Sequence, residues 1–210
     1  MEKIKRVLAH KIFKIFKWAF LILLGLYIIL VVVRVVHLFN LDKTNAEVAK
    51  IHATKLILDD VMGKNLPPDP GADADKTVAG IDANNNGIRD DVELAIFNVY
   101  PKSAKTRAVL LQYALVLQMQ MTLPIINKDT VTATVEDNES RAHICVWSIS
   151  SRSNMKKFIA ETDKNEKFVE NLQLNTTQRT NYLNKVFEGN LGSYAASNDG
   201  CDIDLKTLLN

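Results

Sequence analysis

Residues 108–126 read AVLLQYALVLQMQMTLPII, nineteen positions without a charge. Such a run can serve as a membrane span or as the central helix of a water-soluble bundle, and the two choices give different folds. Three amides, Gln112, Gln118 and Gln120, interrupt it, and Pro124 sits near its end. In hydrocarbon an amide without a partner costs several kcal/mol, whereas a bundle core can offer it backbone and side-chain partners. The run is therefore expected to be a core helix wrapped by others on most sides. Ser103, just ahead of AKTRAV, is placed to cap its first turn.

Nearer the N-terminus a second apolar run lacks such amides. Residues 18–33, WAFLILLGLYIILVVV, carry no charge, and VRVVHLF extends the run to position 39 if Arg34 and His37 reach the far interface. At about 1.5 Å per helical residue this stretch matches a hydrocarbon core of about 30 Å. Residues 18–39 are expected to cross the lipid bilayer once. The exit sequence VVHLFNLDKTN has no small-x-small cleavage site, and no cysteine follows at a lipoprotein position, so an uncleaved anchor is expected.

Ahead of the span, Lys3, Lys5, Arg6, Lys11, Lys14 and Lys17 face the single acid Glu2. This asymmetry predicts a cytoplasmic tail over 1–17 and a body, 40–210, on the other side. Lys3, Arg6, His10, Lys14 and Lys17 also recur at helical spacing, a pattern suited to anionic headgroups as well as to topology. The overall charge of +2 thus belongs to the tail. The body is mildly acidic and offers no electrostatic footprint for nucleic acid.

Within the body, Thr44 and Glu47 have capping-box spacing and predict a helix over about 44–62, closed by Gly63. The segment 64–76, with Pro67, Pro68 and Pro70, reads as a linker. DDVELAIFNVY continues as a short helix that Pro101 ends. Residues 129–150 permit either a hairpin through EDNESRAH or a helix with Val131, Val135, Ala142, Cys145 and Ile149 near one face; the helix is preferred, because an isolated hairpin is marginal. MKKFIAETDKNEKFVENL and TTQRTNYLNKVFEGNL predict two amphipathic helices, with Asn175 as a cap and Gly189 or Gly192 as the stop. The expected fold is all-α, a single N-terminal transmembrane helix plus a small helical bundle.

The chemistry centres on residues 82–93, DANNNGIRDDVE. Calcium takes six to eight oxygens, and a twelve-residue loop supplies them from its first, third, fifth, seventh, ninth and twelfth places, with glycine sixth for the turn. Those places hold Asp82, Asn84, Asn86, Ile88 through its carbonyl, Asp90 and Glu93, with Gly87 in the turn. The stretch resembles the calcium loops of EF-hands, and more closely those of dockerins and thrombospondin type 3 repeats, which often place an apolar residue seventh and an aspartate ninth. The resemblance covers these dozen residues and implies a bound calcium ion. Arg89 at the eighth place departs from the apolar residue with which EF-hands pair. Only three side-chain ligands are carboxylates, so weak binding is expected, on the order of 10⁻⁴ to 10⁻³ M. Without an ion, Asn86 and Gly87 would simply form a tight turn before a helix that Asp90 and Asp91 favour. Asp69, Asp73 and Asp75 are candidates for an added ligand.

Cys145 and Cys201 are the two cysteines, and both fall on the side assigned to an oxidising space. A disulfide between them is expected, worth ~4 kcal/mol in the chain-entropy picture. A His143–Cys145 nucleophile is disfavoured, since residues two apart on a helix point away from one another. His52 with Asp59 and Asp60 lacks a second pair of ligands for a metal. Asp199, Asp202 and Asp204 read as surface acids. No phosphate-binding glycine loop, serine elbow or HExxH motif is present.

These features predict a calcium-binding module anchored in the inner membrane with its body in the periplasm, acting on another envelope protein and not as an enzyme. Bacterial origin is inferred from the style of the loop; in a eukaryote the body would face the secretory lumen. The alternatives are a hydrolase of envelope polymers using acids such as Glu93 or Asp59, and a membrane-tethered immunity protein against a toxin.

Overall fold

A 52-residue helix, α1 (Glu2–Ala53), opens the chain. The computed structural model describes residues 2–124, 127–134, 139–188 and 200–208, with the backbone alone for 2–10 and 12. From Phe13 onward α1 is long and apolar enough to cross a membrane. Its large side chains, among them Trp18, Leu23, Ile29 and Phe39, are exposed, as a lipid-facing surface requires. The chain divides into two compact units, Met1–Asn45 and Ala46–Asn210.

No new helix starts at Thr44, contrary to the capping-box reading. Its hydroxyl donates to the Asn40 carbonyl at 2.9 Å, the back-bond of a threonine inside a helix. The expected end at residue 62 is also corrected. The helix stops at Ala53, and the Leu56 N–H, which a continuous helix would direct to residue 52, is taken by Asp202 Oδ2 at 2.9 Å. One further turn, α2 (Leu58–Val61), follows before Gly63 takes a positive φ of 70°.

After a 3₁₀ turn at Gly71–Asp75, the helices α3 (Asp90–Val99), α4 (Ala104–Thr122), α5 (Lys128–Ala133), α6 (Ser140–Ser148), α7 (Met155–Gln173) and α8 (Thr177–Phe187) complete the body with a short 3₁₀ turn, Leu205–Thr207. Among the described residues there is no strand. The helical reading of 129–150 therefore holds where it is described; Val135 and the first three residues of the alternative hairpin turn, 136–138, lie outside the described residues.

Helix α4 is the axis of the body. Ser103 caps it by accepting from Thr106 N, and α3, α6, α7 and α8 all pack against it. Every residue from Ala108 to Met121 is buried. The three glutamines that mark this helix all find partners. Gln112 donates to Gly200 O at 3.1 Å and accepts from Asp202 N at 2.8 Å. Gln118 donates to Ala79 O at 2.6 Å, and Gln120 to Glu139 Oε2 at 3.0 Å. Tertiary neighbours give each amide nitrogen an acceptor that lipid would not have offered, although the Gln118 carbonyl oxygen is buried without a partner.

Three buried arginines bind the periphery to this axis. Arg107 donates to the carbonyls of Val61, Tyr100 and Pro101, and its guanidinium lies 4.8 Å from the Phe97 ring centre. Arg179 of α8 donates to Asp75 and to the carbonyls of Ala74, Thr77 and Val78. Arg89 reaches the carbonyls of Leu172 and Gln173 at the end of α7 and grips Asp91 with two hydrogen bonds. The cap of α8 is Thr176, whose side chain accepts from Arg179 N. Asn175, expected in that role, instead bonds Asp75 and Arg179. The proposed stops at Gly189 and Gly192 lie outside the described residues.

Candidate metal centre

The 82–93 loop is shaped by its own short polar side chains. Asp82 accepts from Asn86 N at 3.1 Å and Gly87 N at 2.9 Å, and Asn86 Oδ1 accepts from Ile88 N at 2.9 Å. These side-chain turns fold the backbone back on itself. Asn85 and Gly87 both take positive φ, 56° and 82°. At Gly87 a Cβ would also lie 2.8 Å from Leu115 Cδ1, so only glycine lets the turn press against α4. Ile88 is fully buried and anchors the loop in the core.

Three of the six expected ligand residues, Asn84, Asn86 and Glu93, meet through their side chains. Glu93 Oε2 receives Asn84 Nδ2 at 3.1 Å and Asn86 Nδ2 at 3.0 Å, and Asp82 turns in from the first place through its bonds to Asn86 and Gly87. Asp90, at the ninth place, faces Ala83 N with both oxygens at 3.0 and 3.2 Å and closes the loop from behind. Ile88 enters by its backbone, with its side chain turned to the core. Asp69, Asp73 and Asp75 are not brought here: they bond Gly71 N, Lys76 and Arg179 respectively.

One contributor comes from outside the loop. Asp60 of α2 is buried, and its carboxyl lies within electrostatic reach of Asn86 and Asp82. The sequence shows it only as half of an Asp-Asp pair after a histidine, with nothing to link it to a loop more than twenty residues later.

Burial governs the electrostatics. Desolvation pushes the Glu93 carboxyl up to about 7, against the pull of its bonds to Asn84 and Asn86 and with added repulsion from Asp60 and Asp90. Burial likewise raises Asp60 and Asp90, and Asp82 repels both. No lysine or arginine is among the groups acting on these three acids. Arg89, the nearest in sequence, is held at the end of α7 instead. Its path there depends on Gly80, with φ 67°, where a Cβ would meet Arg89 Cδ at 2.4 Å.

Among the described residues, no three His, Cys, Asp or Glu side chains form a group able to hold a metal by themselves. A hard cation here would need the neutral oxygens of Asn84, Asn86 and the Ile88 carbonyl beside the carboxylates, a donor set that suits calcium.

Elsewhere, Cys145 and Cys201 stand at disulfide distance, 2.06 Å between sulfurs. Beside them Asp202 is a correction to the sequence reading. It is buried, pairs with Arg141 and lies 3.8 Å from Lys55 Nζ, so it is an anchor of the C-terminal segment and not a surface acid. Arg141 sits four residues before Cys145 on α6, the spacing that puts both on one helical face. Asp204 caps Lys206 N, and Asp199 lies outside the described residues. His143 is clasped between Glu139 and Glu166, at 3.8 and 2.7 Å. Those two carboxylates push its imidazole up to about 9 despite burial. With Cys145 at bonding distance from Cys201, no thiolate is left for a histidine to activate.

No protein family model matches the chain, and no curated protein or solved structure matches it either.

Proposed function

We propose that the chain is a single-pass membrane protein, N-terminus in the cytoplasm, whose helical body outside holds one weakly bound calcium ion in the 82–93 loop. It acts as a structural or protein-interaction module of the cell envelope. One observation carries the reading: within the calcium-type loop the Asn84 and Asn86 side chains converge on Glu93, whose buried carboxyl is repelled by Asp60 and Asp90 and has no basic side chain acting on it. Gathering desolvated like charges is costly, and a divalent ion bound by their oxygens removes that cost. Asp82, Asn84, Asn86, the Ile88 carbonyl and Glu93 would hold the ion, Asp90 would keep the loop closed, and Asp60 would add charge from α2. The ion then ties α2, the loop and α3 together and stabilises the body in proportion to its concentration over Kd. Exposed apolar residues Ile57, Leu58, Met62 and Leu66 flank this junction and favour a binding role over catalysis. A hydrolase using Asp59 finds no support, because that carboxylate is exposed and paired with Lys64 at 2.6 Å.

The test is calorimetric titration of the full chain in nonionic detergent with calcium, beside melting with and without chelator. A Kd on the order of 10⁻⁴ to 10⁻³ M is expected, with a higher melting temperature in calcium and both effects absent in Asp82→Asn. No heat and no chelator effect would overturn the reading.

A further inference from the structure

Three segments distant in sequence meet beside the bundle axis: the start of α4, the end of α6 and the Leu205–Thr207 turn. Between them is a groove of about 470 Å³ lined by Ser103, Lys105, Thr106, Ser148, Ile149, Leu205 and Lys206. That size lies within the range of small-molecule sites. Among the described residues no carboxylate lines it. The nearest in sequence, Asp204, directs an oxygen to Lys206 N at 3.0 Å.

The lining is a set of donors. The ammonium groups of Lys105 and Lys206 make no ion pair among the described residues. The hydroxyls of Ser103 and Thr106 lie 2.8 Å apart, and Ser103 Oγ already accepts from Thr106 N. Two hydroxyl protons share one mutual contact, so whichever hydroxyl donates, the other retains a proton to give. Ser148 Oγ donates to Cys145 O at 2.6 Å, and its oxygen remains in the wall as an acceptor. Ile149 and Leu205 add an apolar flank. The groove keeps its shape because the cysteine pair joins α6 to the segment that carries Leu205 and Lys206.

Two cations that make no ion pair among the described residues and a spare hydroxyl proton, lining one groove without a described carboxylate, match an oxyanion. We propose that this groove binds a phosphate monoester, carried either by a lipid headgroup or by a soluble molecule. Lys105 and Lys206 supply the charge, the Ser103–Thr106 pair supplies a hydrogen bond, and Ile149 and Leu205 contact whatever apolar arm the phosphate bears. The proposal is independent of the calcium loop.

The full chain in nonionic detergent is titrated calorimetrically with inorganic phosphate and, separately, with dihexanoyl phosphatidic acid. Saturable binding of at least one probe is expected, weakened roughly tenfold or more in Lys105→Gln/Lys206→Gln, as the loss of two charge-assisted contacts implies. The double variant keeps its melting temperature, because neither ammonium makes an ion pair among the described residues. Tighter binding of the lipid analogue assigns the phosphate to a headgroup with its acyl arm on Ile149 and Leu205; equal binding assigns it to a soluble ligand. Either result supports the site. Absence of saturable heat with both probes, or equal affinity in the wild-type chain and the double variant, would overturn it.

Discussion

Residues 18–33 and 108–122 are both uncharged helical runs of similar length, yet they meet opposite surroundings. In α1 the large apolar side chains are exposed, whereas in α4 every residue from Ala108 to Met121 is buried by other helices of the body. Average apolarity does not separate them. What separates them is three amides and where those amides find partners, since Gln112, Gln118 and Gln120 each bond a group brought in from a distant segment. Polar residues inside an apolar helix thus specify what must surround it.

Identical substitutions in the two runs should give unequal results. Leu111→Ala in α4 should lower the stability of the body by about 2–5 kcal/mol, read by denaturant unfolding, because the side chain is fully buried; Leu23→Ala in α1 should leave that unfolding curve unchanged. Equal effects would erase the distinction. Leu26→Arg, a charge in the middle of α1, should cost insertion about 2.5–3.5 kcal/mol and move protein from the carbonate-resistant membrane fraction to the soluble one, with no change in the melting of the body. A smaller loss, about 1–3 kcal/mol, is expected for Gln112→Leu, which makes α4 more apolar yet strands Gly200 O and Asp202 N. Were that variant as stable as the parent, partnered amides would not be what fixes α4 in the core.

The smallest effect concerns the shell around α4. His143, raised to about 9, joins α6 to Glu166 of α7. A base whose folded-state value lies above its unfolded value contributes fully below the unfolded value, near 6.5, and loses that contribution as pH rises through the folded value. Melting temperature should therefore fall between pH 6.5 and 9, and the slope should flatten in His143→Gln.

Helix type and number were largely legible because periodicity and caps are local signals: Ser103 before α4 and Pro101 after α3 act within one turn. The misreadings came where a distant residue intervened. Thr44 and Glu47 have the spacing of a cap, but nothing in those four residues reports that the preceding helix continues into them. The break after Ala53 depends on Asp202, almost 150 positions away. For the loop, the oxygen pattern singled out Asp82, Asn84, Asn86, Ile88, Asp90 and Glu93, of which Asn84, Asn86 and Glu93 meet through their side chains; the bond of Asp90 to Ala83 N and the approach of Asp60 depend on packing that no local pattern encodes. Arg89 was legible as a departure from the EF-hand pattern but not as the buried link to α7. Asp202 had one usable hint, its position beside Cys201, once that cysteine is paired with Cys145 four residues beyond Arg141.

The Cys145–Cys201 pairing has a topological consequence. Its sequence separation of 56 makes the intervening chain, including all of α7 and α8, a covalent ring. A single peptide-bond cut by a protease anywhere inside that ring releases no fragment. The nicked molecule would run as one band on a non-reducing gel and as two after reduction, so the bridge keeps both helices attached to a damaged body.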